Sequence, residues 1–269
     1  MPRRFGAIVN GQQLADGLIK AKSVSAFFLE QRNKLDWRAV AALKTEVDRL
    51  VGCDLNSATS LADRIRELAA LVNDPRSDAF ANASRARVLD NLGRHSEANK
   101  LYERSARAMR LAGLVKEAAM IQKQQLHALM NLGRYQEALR TASAARRVLS
   151  QTEPVQLAQL EANVGNVYYR LDRYKQALAH YDRAREILLT HGDATMLAVV
   201  DFSRSNVFAD IDRPDEALRL LEDAAAQFER AGRFLQAGQA RFHIAQFTRG
   251  FELREQLLHA GQTVGGIHF

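Results

Sequence analysis

The chain has 269 residues and a net charge of +7, and its 47% hydrophobic and 26% charged content excludes wholesale disorder and supplies a core for one to two domains. Few helix breakers, with 4 Pro and 15 Gly against abundant Ala, Leu, Arg, Glu and Gln, predict an all-α protein, and one cysteine excludes an intrachain disulfide or a multi-thiolate metal site. No stretch approaches the roughly 18 apolar residues of a membrane span, and no long apolar run comes after Met1-Pro2-Arg3-Arg4-Phe5, so a cytoplasmic protein with no membrane partner is expected.

Residues 1–35 carry Leu14, Leu18, Ile19, Val24, Phe27 and Phe28 at spacings that suit an amphipathic helix or helix pair, read as a cap on a larger helical array. Residues 1–50 also hold nine of the Lys/Arg residues against five Asp/Glu. No block of like charge forms there, so nucleic acid is a disfavoured partner. Asp36–Leu50 reads as an opening helix. Cys53 lies near the end of its apolar run, Val47, Leu50 and Val51, and is expected to be buried and inert.

A repeat of about forty residues then governs the chain. Asn91-Leu92-Gly93-Arg94, Asn131-Leu132-Gly133-Arg134, Arg170-Leu171-Asp172-Arg173 and Asp210-Ile211-Asp212-Arg213 align, with Gly93, Gly133, Asp172 and Asp212 spaced by 40, 39 and 40 residues. An Ala follows each Gly or Asp five residues on, at Ala98, Ala138, Ala177 and Ala217. Gly or Asp after an apolar helical run is a stop signal, because these residues accept the backbone that closes a helix. Leu92, Leu132, Leu171 and Ile211 are expected to anchor the helix ends in the core. The small alanines permit a second helix to pack closely. Gly113, Gly192, Gly232 and Pro154 mark the alternate turns. Each period is therefore helix, turn, helix, turn. Such a hairpin cannot bury its apolar face alone, so hairpins stack into an α-solenoid over residues 36–250. A fifth, degraded copy is expected to turn early, at Gly250, and 251–269 to form a degenerate last helix and frayed tail.

These motifs resemble tetratricopeptide repeats. Gly165, Tyr174, Ala177, Tyr181 and Ala184 match the pattern of that family fully. Ala86, His95, Ala98, Tyr102 and Ser105 match it with His95 in an aromatic place. The other copies depart at Leu126 and Ala142, and at Pro214 and Leu221. The resemblance implies a right-handed superhelix of helical hairpins. The period exceeds the family's usual length of about 34 residues and is similar to bacterial arrays that precede CHAT (caspase-like) peptidase domains. No His and Cys domain comes after the repeats here, so the resemblance implies an interaction array and no catalytic residue. Whether the chain is a fragment, a truncated product or a stand-alone array is open.

In such arrays the first helix of each pair lines a concave groove. Stepping back from each turn at helical spacing selects Arg87 and Asn91; Lys123, His127, Met130 and Asn131; Asn163, Asn166, Tyr169 and Arg170; Phe202 and Asn206; then Phe242 and Gln246. Amides both donate and accept, which suits an extended peptide backbone. Arg and Lys hold carboxylates. A clamp on a peptide's terminal carboxylate by Lys123, Asn163 and Asn166 is a weaker reading, since Val199 and Ser203 supply no further base.

No Gly-rich phosphate loop, His-Glu-x-x-His or Cys/His cluster occurs. The seven histidines are scattered, and His95 reads as a packing residue. No cofactor or metal is expected. The leading expectation is a non-enzymatic scaffold that binds a protein or peptide in its groove. Next comes the regulatory portion of a CHAT-type peptidase, with that effector as partner. Self-association through the terminal repeats is a further expectation.

Overall fold

The computed structural model describes residues 10–191 and 194–264, excepting the side chains of Thr152 and 250–264. The described residues form thirteen α-helices and no strand. Two compact units divide at Thr152/Glu153.

The first unit begins with α1 (Gly11–Lys20) and α2 (Val24–Gln31), each opened by a side-chain cap, Asn10 and Ser23. They pack on α3 (Trp37–Leu50) and α4 (Leu55–Val72). The hairpins α5 (Pro75–Asn91)/α6 (His95–Leu111) and α7 (Val115–Asn131)/α8 (Tyr135–Thr152) come next. From α3 to α8 each helix packs on the next, and α3, α5 and α7 also touch in that order, so the first helices of successive hairpins line one face. One buried cluster runs from Ala15 to Ala128.

The second unit holds α9 (Pro154–Tyr169)/α10 (Tyr174–His191), α11 (Ala194–Asp210)/α12 (Pro214–Arg230) and α13 (Phe234–Val264). Gly165 lies where α9 meets α10. A Cβ there would fall 2.5 Å from the Tyr181 ring, so only glycine admits this approach.

The turns agree with the sequence pattern. Gly93, Gly133, Asp172 and Asp212 all take positive φ, between 56° and 77°. In each the Arg after the turn donates its backbone N–H back to the carbonyl of Leu89, Leu129, Tyr168 or Phe208, at 2.8 to 2.9 Å. The same arginines pair with the first turn of the next helix where a Glu is present, as in Arg94–Glu97, Arg134–Glu137 and Arg213–Glu216. All four alanines after the turns are fully buried.

Three expectations are corrected. Leu92, Leu132, Leu171 and Ile211 do not anchor the helix ends: Leu92 is 49% exposed and the others half-buried. They occupy the cap or the turn just after it, where the chain is already leaving the helix. Deep anchoring falls three or four residues earlier, on Leu89, Leu129, Val167 and Val207. Cys53 is exposed, in the turn after α3, where its thiol lies 3.6 Å from the Arg49 carbonyl. Its apolar neighbours belong to the helix, and it does not. Finally, α13 continues through Gly250. A lone glycine costs a helix only about 1 kcal/mol, and good helix formers come after it. The last expected tail residues, 265–269, lie outside the described residues, as does the turn at Gly192.

Candidate partner-binding site

On the lined face of the first unit, Arg87 and Asp90 come from α5, Lys123, Gln124 and His127 from α7, and Lys44 and Asp48 from α3. Lys44 is buried, and its Nζ donates to Asp48 Oδ2 and, at 3.0 Å, to Gln124 Oε1. The Gln124 amide donates to the same Asp48 oxygen at 2.9 Å. The other oxygen, Oδ1, lies 4.0 Å from Arg87 Nε, and neither atom makes a hydrogen bond. Lys123 is buried beside them. Burial, and then the positive charge of Lys44, push its ammonium down to about 8, against the partial relief given by Asp48. Lys44 and Arg87 thus flank the Asp48 carboxylate, and Lys123 lies close enough to feel the charges of all three. Beneath them Tyr102 is fully buried with its hydroxyl lacking a hydrogen bond, and burial raises its pKa.

One helical turn further along, Asp90 is buried between two imidazoles. Its Oδ1 lies 2.7 Å from His95 Nδ1 and its Oδ2 2.8 Å from His127 Nδ1. Asn131 donates to the His127 carbonyl and Asn91 to that of Arg87, both at 2.9 Å. Of the residues selected from sequence, Arg87, Asn91, Lys123, His127 and Asn131 therefore sit on one face. Met130 is half-buried on α7.

The selected residues of the second unit form local groups. Asn166 Oδ1 accepts from the Tyr181 hydroxyl at 2.6 Å. Tyr169 lies 6.1 Å from Tyr174. Burial and Asp210 push its hydroxyl up to about 12. Asn163 and Asn206 are half-buried, and Arg170 is exposed. Phe202 meets His243 edge-on at 5.3 Å. On α13, Phe242 is 61% exposed, along with Phe234, Leu235 and Gln246.

Sequence reasoning missed Lys44, Asp48, Gln124 and Asp90. The first two lie in a helix before the first clear repeat, so no alignment marked them. Asp90 stands where the next copies carry Met130 and Tyr169, and its substitution was the available signal. Likewise Glu161 and His180, buried and 2.7 Å apart, are a core pair that periodicity alone does not reveal.

Residues 156–230 match the tetratricopeptide repeat family. No curated protein matches it by sequence. Among solved structures it is similar to a Rap protein complexed with Competence and Sporulation Factor, at a TM-score of 0.68 and 16% identity, over 93% of this chain and 74% of that one. It is also similar to aspartyl phosphate phosphatase F from Bacillus subtilis, at 0.63 and 12% identity, over 93% and 71%. A third likeness is to BtubC from P. vanneervenii, at 0.58 and 17% identity, over 84% and 93%. At these identities the likeness is one of fold. Within the described residues no helix is long and apolar enough to cross a membrane.

Proposed function

We propose that the chain is a non-enzymatic interaction scaffold and that the face made by α3, α5 and α7 takes a peptide bearing a carboxylate. The observation that carries this reading is that Lys44 and Arg87 share the one carboxylate of Asp48, while the Arg87 side chain is still 29% exposed on this face. An incoming carboxylate would meet a guanidinium able to donate to it and would offset the charge that depresses Lys123. Asn91 and Asn131, exposed on the same face, would hydrogen-bond the peptide backbone. The similar Rap protein is complexed with Competence and Sporulation Factor, which supports a ligand-binding role for this fold here. In the second unit, Asn163, Asn166, Tyr169, Arg170, Phe202 and Asn206 are proposed as a further recognition surface.

The test is a random-peptide array probed with the full chain, followed by fluorescence anisotropy on selected peptides. Enrichment of Asp, Glu or a free carboxyl terminus is expected. Arg87→Ala should weaken binding about tenfold, the worth of one charge-assisted hydrogen bond. Selection indifferent to acidic groups, or affinity unchanged in Arg87→Ala, would overturn the assignment of this face.

A further inference from the structure

A carboxylate at the C-terminal turn of its own helix meets the negative end of the helix dipole, and burial removes the water that would otherwise stabilise it. Asp90 is in that position. It lies in the last turn of α5, and its side chain has no exposed surface. The groups that meet it are two imidazoles from different elements. His95 opens α6, across the turn at Gly93, and His127 comes from α7 in the next hairpin. Both present Nδ1, one to each carboxylate oxygen, and the three donor atoms lie within 4.8 Å of one another.

We propose that Asp90, His95 and His127 form a binding site for one divalent transition-metal ion of the zinc type. The donor set is two nitrogens and one carboxylate, which suits zinc, cobalt or nickel and not the oxygen-seeking magnesium or calcium. Zinc takes such ligands at about 2.0–2.2 Å, so the donors must draw around the ion. The side chain of His127 is 50% exposed and free to make that adjustment, whereas Asp90 is fixed by burial. The two rings are inclined by 67°, and their Nδ1 atoms meet different oxygens of the carboxylate. The exposed side at His127 leaves a fourth position open to water or to a ligand group. In the metal-free chain the short Nδ1···O contacts are hydrogen bonds. On metal binding each Nδ1 proton moves to Nε2 or, from an imidazolium, to solvent. The ion would tie α5, α6 and α7, two successive hairpins, through one point.

The repeat supplies conservative controls. Other copies place Tyr135 and Tyr174 where His95 stands, and Asn166 and Asn206 where His127 stands. His95→Tyr and His127→Asn therefore install residues the fold already accepts, which far-ultraviolet circular dichroism would verify. The untagged, metal-stripped full chain is titrated with Zn2+ against a chromophoric chelator, and with Co2+ followed by its visible ligand-field absorption. One equivalent is expected to bind, with each variant weakening affinity by about tenfold or more and abolishing the tetrahedral cobalt bands. Absence of stoichiometric binding, or binding undiminished in the folded double variant, would overturn the site and leave Asp90 as a hydrogen-bonded tie between hairpins. Neither outcome depends on the peptide reading of the neighbouring cations.

Discussion

Lys123 shows how one residue carries both a cost and a use. The residue is 8% exposed, and burial and the neighbouring Lys44 push its ammonium down from 10.5 to about 8. Between those values the unfolded chain keeps a proton that the folded chain has released. Stability contributed by this residue therefore rises with pH through that window, and the penalty is fully present below pH 8. Lys123→Met should stabilise the protein at pH 7 by on the order of 2 kcal/mol. Urea unfolding at pH 7 and at pH 10 checks this, since the advantage should shrink at the higher value; a pH-independent difference would mean that packing, not charge, is responsible. The 3.6-residue period groups Lys123 with His127 on one face of α7. It could not reveal the burial, or the charge of Lys44, which comes from a helix far back along the chain.

Within a single hairpin, a few positions specify the element. The left-handed turn, the buried alanine five residues later and the small residue seven residues before act together. Gly165 is the tightest of these contacts. The Tyr181 ring against it cannot slide away, since it is buried and its hydroxyl is held by Asn166 at 2.6 Å. Gly165→Ala gains about 1 kcal/mol of helix propensity but overpacks the interface by about 1–3 kcal/mol. A net loss of stability is expected, measured as a lower midpoint in thermal unfolding. An unchanged or raised midpoint would mean that α9 and α10 can separate at no cost. The cap residues show the limit of pattern reading. Leu92 is apolar and stands in register, yet the backbone leaves the helix there, and the residue is turned out. The same limit applies at Gly250, where a glycine suggested a turn but the helix runs on to Val264.

Across the chain, repeat architecture makes stability nearly a sum of hairpins and their nearest neighbours. Damage in one hairpin should therefore stay near it. Hydrogen exchange on Gly165→Ala should show lost protection in α9 and α10, with α3 to α6 close to wild type; uniform loss would indicate a single cooperative unit. The net charge of +7 gives any anionic partner long-range attraction, so peptide binding should weaken as salt rises.

The all-helical class, the positions of the turns and the small residues at the helix crossings are all legible in the linear chain. Those features are local, written in Gly, Asp, Ala and the spacing of apolar residues, and they recur until chance is excluded. Which polar residues meet is settled only by the packing of the helices. Lys44 with Gln124, Asp90 with His127 and Glu161 with His180 join positions that are 80, 37 and 19 residues apart. No period links such pairs. They arise because stacking brings unlike positions of successive helices into one buried space, where a charge must find a partner.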